Sequence, residues 1–555
     1  MADIPASKLI PRPAATLILL RPGAGGPEVL MIQRTQSAAF LGGAYVFPGG
    51  ALDAQDADPR MLKRIVGLRP DQADTRLKLP SGAIAYYVAA IRECFEEAGV
   101  LLLADAKGSQ ISAAHAGSLL SHREKSFVEL LESENLFVPA GALAYYGHWV
   151  TAPGRSRRFD ARFFVALAPE GQEGSHDENE TVHHMWVQPR EALERGERGE
   201  IELVFATQHT LRDLGRFDEP RKAFDHAASL PEIDTNRACR ALGRDGEKIF
   251  RHLDPQYHEI HWSDPEETGQ TTYELVPGAP KRLDRLVTRI IAPNPGAMTG
   301  PGTNSYLVGA GDLAVIDPGP DIASHLEVLL SEGKNRIRWI VCTHTHLDHS
   351  PAAAALKAAS GAQVLGRPAP PGQDATFEPD VVVENGQRIR LGEGVTLRAI
   401  HTPGHASNHL CYLLEETRML FTGDQVMQGS TVVINPPDGD MRAYLASLEA
   451  LLAEDLAIIA PGHGYLIGAP HKEIRRLIAH RLARESKVKS VLQKVGPASL
   501  ERILPLVYDD VPERMHRWAA RSLTAHLDKL VAEGALHAGP AGYTLVQSPK
   551  AGKDR

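Results

Sequence analysis

The chain of 555 residues is too long for one ordinary core and, at about 100 to 200 residues per domain, corresponds to roughly three. Its 43% hydrophobic and 23% charged residues fit a globular protein, and a formal charge of −9 offers no whole-chain attraction to nucleic acid or an anionic membrane. Cys94, Cys239, Cys342 and Cys411 are scattered without a CxxC pair, which argues against a disulfide scaffold or a cysteine-rich zinc module and predicts a reduced, cytoplasmic setting. Neither a signal peptide nor a membrane span is expected, because apolar runs are short and the N-terminal stretch lacks a leader pattern.

In chain order, residues 14–20 (AATLILL) and 28–33 (EVLMIQ) bracket a Gly/Pro turn and predict paired strands. YVFPGGALD (45–53) suits a tight turn, and 54–80 reads as a polar insertion. The run 83–103, AIAYYVAAIRECFEEAGVLLL, predicts a helix that ends at Gly99 and passes into a strand. HWVTAP and ARFFVALAP predict further strands, MWVQPREAL opens another helix, and the unit is expected to close near 230. Within the first helix, Glu93 and Glu97 lie four apart with Glu96 beside them. Like charges at that spacing destabilise a helix, so a divalent cation explains them better than a solvated acidic face does.

The sequence RECFEEAGV, preceded by a distant PGG and followed by GHWVTAP and RRFDARFFVA, resembles the Nudix hydrolases over about residues 10–230. The two ends of the family box fall at 49–50 and 92–100, a separation like that of the coenzyme A diphosphatase subgroup. The resemblance implies an α/β/α sandwich in which Glu93, Glu96 and Glu97 hold Mg²⁺ or Mn²⁺, Glu97 being assigned to catalysis, for cleavage of a coenzyme A-like or nucleotide diphosphate. Arg92 is expected to pair within the helix and loop. The acid that usually precedes the helix has no assigned counterpart: Asp53 and Asp56 are nearby, and Glu178 and Glu180, beside His183 and His184, are further candidates.

Residues 231–284 are polar, lack sustained periodicity and read as a junction. From 285 short apolar strands alternate with glycine turns, with a helix over 321–332, as in a mixed α/β sandwich with reactive loops at strand ends. THTHLDHS (343–350) sets His344, His346, Asp348 and His349 just beyond the apolar run WIVC, a crowding of imidazole and carboxylate best explained by a cation. His405 in HTPGH, Asp424 in FTGD and His463 in PGHG each follow another apolar run. Asp317 in VIDPG reads as a supporting carboxylate or a turn residue.

HxHxDH with the later His, Asp and His resembles the metallo-β-lactamase-fold hydrolases. That resemblance implies an αββα sandwich over 285–480 and two zinc ions: His344, His346 and His405 for one, Asp348, His349 and His463 for the other, with Asp424 bridging. Catalysis is assigned to Asp348, His349 and Asp424 beside water activated between the ions. NPGAMTGPGTNSYLVG (294–309) and the GHASNH context narrow the likeness to the β-lactamase-like protein 2 group, sometimes described as endoribonucleases acting on single-stranded RNA. Asn304 and His409 are candidate substrate contacts.

After His463 the pattern turns helical and ends in a short hairpin, predicting a winged-helix-like module over 485–547. Arg481, Arg484, Lys487, Lys489, Lys494, Arg514, Arg517 and Arg521 offer phosphate contacts, but interleaved acids make a solvated face or a homodimer contact equally reasonable. The chain is thus expected to be a multidomain α/β and α+β hydrolase acting on an ester or thioester, with a diphosphatase half in front. One alternative is a zinc-dependent endoribonuclease; another is a sensor domain and dimerisation tail attached to a hydrolase.

Overall fold

The computed structural model describes residues 9–36, 42–122, 125–175 and 181–546, so Glu178 and Glu180 lie outside the described residues, as does position 547. The chain divides into two compact units, one of residues 1–252 with 266–270, the other of 253–265 with 271–555.

In the first unit the strands Arg12–Gly23 and Gly26–Arg34 form the expected antiparallel hairpin, with Leu20 opposite Val29. Arg12–Gly23 also pairs in parallel with Phe159–Leu167, which pairs antiparallel with Ala144–Val150. Alternation sends Leu17 and Leu19 to one face and Ile18 and Leu20 to the other, so the sheet is buried on both sides. Helix Ile84–Ala98 covers the first face and ends at Gly99, which adopts φ 63°. The expected strand after it is absent. Leu101, Leu102 and Leu103 are buried as irregular chain, because only Ala104 makes bridges there, to Gln110 and Phe137, and the apolar run serves the core without a ladder. Part of the polar stretch after 230 carries regular structure in this unit, with Thr235–Arg237 added in parallel beside Ala144–Val150 and a hairpin of Cys239–Gly243 with Gly246–Phe250.

The second unit is built on two sheets. One has seven strands and includes Val287–Ile291, Asn304–Val308, Leu313–Ile316 and Ile337–Val341; the other has five and includes Thr396–His401, Leu410–Leu414, Met419–Gly423 and Ile458–Pro461. Tyr306, Ile316 and Val341 from the first meet Leu397, Tyr412 and Phe421 from the second in a shared core. Helices Ala323–Gly333 and Ala352–Ser360 pack on the outer face of the first sheet, and Met441–Leu451 and Pro470–Val495 on that of the second. This is an αββα sandwich. Helices Leu500–Val507 and His516–Ala532 and a hairpin of Leu536–Gly539 with Gly542–Leu545 make the winged-helix-like end. Among the described residues no helix is long and apolar enough to cross a membrane.

The tail corrects one expectation. Arg481 and Arg484 are buried, Arg481 donating to Val432 O and Arg484 to Val507 O and Asp510, so neither is offered to phosphate. Lys489, Lys494, Arg514, Arg517 and Arg521 remain exposed.

A buried ion cluster joins helix Tyr257–Ser263 to the first sheet of this unit. Glu259 accepts two bonds from Arg289, at 2.6 and 2.8 Å, one from Lys281 at 2.6 Å and one from Leu466 N at 3.1 Å. Burial disfavours its charge, but Arg289 and Lys281 outweigh that and bring its pKa down to about 2. Removing one partner leaves buried charge uncompensated. Glu259→Ala should therefore destabilise this unit by about 3–5 kcal/mol in denaturant unfolding. Because the folded-state pKa is depressed, the contribution is complete above the ordinary value of about 4.3 and is lost as pH falls through about 2. An acid limb equally steep in the variant and the parent would count against it.

Candidate metal centre

The centre forms where strands of both sheets end. Ile316 pairs with Val341 in parallel register, which sets Asp317 beside the start of THTHLDHS. Gly423 pairs with Pro461, so Asp424 and His463 leave neighbouring strands together. His405 follows the strand Thr396–His401. A Cβ on Gly462 would lie 2.8 Å from both Asp424 Oδ1 and His349 Cε1, so that position has no room for a side chain.

These seven side chains converge as three overlapping donor groups: His344, His346 and His405; His344, His349 and Asp424; and Asp348, His349 and His463, the donor atoms within each group lying within 4.8 Å of one another. His346 Nδ1 is 2.9 Å from His344 Nε2 and 3.0 Å from His405 Nε2. On the other side, His463 Nε2 is 3.4 Å from Asp348 Oδ2 and 3.4 Å from Asp424 Oδ1, and His349 Nε2 is 3.5 Å from each of those carboxylates. Asp424 Oδ2 turns the other way, 3.6 Å from His405 Nε2.

The far nitrogens fix which atom each ring presents. His405 Nδ1 donates to Val433 O at 2.9 Å, His463 Nδ1 to Gly302 O at 3.1 Å, His349 Nδ1 to Asp317 Oδ2 at 2.9 Å and His344 Nδ1 to Thr343 Oγ1 at 3.0 Å. Their Nε2 atoms therefore face the cluster, where His349 Nε2, His463 Nε2 and Asp424 Oδ1 are buried without a hydrogen-bond partner. Buried polar atoms require partners, and a cation is the one partner all of these acceptors share. Nitrogen and carboxylate donors without a thiolate suit Zn²⁺, and also Mn²⁺ or Fe²⁺.

Charge is distributed unevenly across the centre. Burial, then the neighbouring rings, keep His344 well below the ordinary imidazole value, and burial and His405 bring His346 down to about 4. Burial opposes charge on His349 too, but Asp348, Asp424 and Asp317 outweigh it and raise its pKa. Burial likewise opposes ionised Asp424, yet His463 and His349 hold it well below the usual carboxylate range. The carboxylate-rich side thus demands positive charge.

Asp317, at φ 50°, accepts from Thr343 N at 2.7 Å and Thr343 Oγ1 at 2.8 Å as well as from His349, and so ties the histidine loop to the adjacent strand. The two expected substrate contacts are fully buried. Asn304 donates to Pro461 O and Gly464 O; His409 stacks on His344 with ring centroids 5.0 Å apart and has Nδ1 2.9 Å from Thr402 Oγ1.

In the first unit, helix Ile84–Ala98 organises a second acidic cluster around Arg92. This buried guanidinium donates to Asp56 Oδ1 at 2.8 Å and Oδ2 at 3.0 Å, and its Nη1 reaches Glu93 and Glu96, both at 2.8 Å. Glu97 accepts from Gly49 N at 2.8 Å, which brings PGG to the helix across the 54–80 insertion. Asp56, left unassigned by sequence, is thus the residue that fixes Arg92. Burial raises Glu93 and Glu96, with Arg92 opposing. All three glutamates line a cavity of about 910 Å³ together with Arg12, Arg34, Arg155 and Arg157 and with Phe47, Trp149 and Phe205.

Carboxylates that orient ligating histidines typically affect metal affinity about 10–100-fold. Asp317→Ala should weaken metal uptake by that factor in chelator competition; unchanged affinity would mean that Thr343 alone orients the loop.

Residues 298–463 match the metallo-beta-lactamase superfamily, 58–211 the NUDT19 Nudix domain and 499–536 the beta-lactamase associated winged helix domain. Thioesterase pkgB of Emericella nidulans is 36% identical over 241 residues, covering 42% of this chain and 67% of that protein. The beta-lactamase-like protein 2 homolog of Drosophila melanogaster is 34% identical over 279 residues, 47% of this chain and 93% of that one. The atrochrysone carboxyl ACP thioesterase of Aspergillus chevalieri is 30% identical over 288 residues, 49% and 88%. The αββα sandwich, its histidine-rich loops and relatives matched over nearly their whole length lead to one conclusion: the chain belongs to the metallo-β-lactamase superfamily, as a hydrolase related to the beta-lactamase-like protein 2 homologs and joined to a Nudix domain.

Proposed function

We propose that the second unit hydrolyses a thioester or ester with two zinc ions, and that the first unit cleaves a coenzyme A-like or nucleotide diphosphate with Mg²⁺ or Mn²⁺. The observation that carries the two-ion reading is the division of Asp424: Oδ1 faces His349 and His463, while Oδ2 faces His405. His344, His346 and His405 would hold one ion and Asp348, His349 and His463 the other, with Asp424 between them. Bound zinc supplies Lewis-acid activation of water and polarisation of a carbonyl oxygen. The protein's own groups fix ring orientation through Asp317, Val433 O and Gly302 O, and bury His344, His349, His405, Asp424 and His463, leaving His346 and Asp348 part-exposed.

Two observations favour an acyl substrate. Two of the relatives named above are thioesterases, and Leu347, between His346 and Asp348, is 70% exposed, an apolar side chain open to an acyl group. In the Nudix cavity the arginines offer bidentate donors to phosphate oxygens and the aromatic side chains a surface for an apolar or ring-bearing group. Glu97 is the proposed base.

The test uses the full chain on acyl-coenzyme A, nucleotide diphosphates and short single-stranded RNA. His346→Ala should lower zinc-dependent thioester turnover more than about a hundredfold while sparing diphosphate cleavage. Glu97→Gln should do the converse, by about 10²–10⁴-fold. RNA cleavage without thioester turnover would replace the first assignment, and variants indistinguishable from the parent on both reactions would overturn the scheme.

A further inference from the structure

Arg481 is 3% exposed, and among the described residues no carboxylate pairs with it. Burying a guanidinium without a counter-charge is costly, so what it touches is informative. It donates to Val432 O and sits over the ring of Tyr444, 5.3 Å from the centroid. Two residues beyond Val432, Ile434 N donates to Ser522 Oγ at 3.3 Å. Between those two anchors lies Val433, whose carbonyl accepts the His405 Nδ1 proton at 2.9 Å.

Tyr444 extends the support. Its hydroxyl donates to Gln425 O at 3.1 Å, the residue after Asp424. A Cβ on Gly404 would lie 2.3 Å from Tyr444 Cα, so the backbone just before His405 rests directly on this helix. Helix Pro470–Val495, through Arg481, and helix His516–Ala532, through Ser522, thus grip the segments that aim His405 and Asp424.

We infer that Arg481 and Ser522 are positioning residues for the metal centre, and that the C-terminal helices belong to its supporting frame. The inference rests on the two-ion reading above. A ring held at Nδ1 presents Nε2 in one direction only, so releasing the Val433 carbonyl leaves His405 free to rotate and Asp424 without one of its supports.

The experiment is a zinc titration of the chelator-stripped full chain against a chromophoric competitor, with unfolding midpoints measured in parallel. Arg481→Met should weaken uptake of at least one of the two ions by about 10–100-fold, and Ser522→Ala should act in the same direction. Arg481→Lys, which still donates to the carbonyl, should recover most of the loss. Arg484→Met is the control: Arg484 is a buried arginine on the same helix that holds Val507 O and Asp510, away from the loop. It should leave both affinities unchanged. Arg481→Met titrating like the parent, or Arg481→Met and Arg484→Met weakening uptake alike, would overturn the inference. A parent chain that takes up fewer than two ions would sink the two-ion reading, and this inference with it, before any variant is compared.

Discussion

The second unit depends on bringing the lone pairs of five histidines and the oxygens of two aspartates into one site, with only His346 and Asp348 of the seven part-exposed. Without a shared cation such a gathering is unfavourable, since imidazole nitrogens facing one another and carboxylates removed from water each lose hydration. The αββα sandwich imposes it geometrically. Loops from the first sheet deliver His344, His346, Asp348 and His349, and loops from the second deliver His405, Asp424 and His463. The two sheets are held together by apolar side chains such as Tyr306, Val341, Tyr412 and Phe421 directly behind the donors. Packing of the core therefore sets the distances at the centre, and the backbone carbonyls and Asp317 set the ring angles.

The first unit uses a related arrangement in which a protein side chain supplies the central positive charge. One buried arginine, Arg92, is surrounded by Asp56, Glu93 and Glu96, and its cationic charge lets several acids share a small space. Helix Ile84–Ala98 supplies three of the four groups from one turn and a half, and the aspartate comes from the insertion. The result is a rigid acidic platform beside a cavity that also presents arginines and aromatic rings.

What could be read from the sequence was what lies close in the chain or repeats a local pattern. THTHLDHS puts four donors within eight positions, and His405, Asp424 and His463 each follow an apolar run, so strand ends and donors coincide in the text itself. The helix bearing Glu93, Glu96 and Glu97 and its stop at Gly99 were equally legible. The partners that orient these groups were not. Asp56 lies 36 residues from Arg92, and Arg481 lies 49 from Val432, separations at which no periodicity connects the two. Arg481 and Arg484 also read as surface charge because helical spacing gives a face but not what covers it. Leu101–Leu103 read as a strand because an apolar run has the same appearance whether it pairs or simply fills space.

Glu259 bears on where the molecule can be divided. Similarity to the superfamily model begins at 298, and strand Val287–Ile291 already carries Arg289 into the sandwich, so a cut just before 285 looks natural from the sequence. Such a cut would discard helix Tyr257–Ser263 and with it the acid that neutralises Arg289, a side chain that also donates to Gly464 O next to His463. The part of the polar stretch that carries helix Tyr257–Ser263 is therefore an internal strut of the hydrolase, and a free-standing second half has to begin upstream of Tyr257.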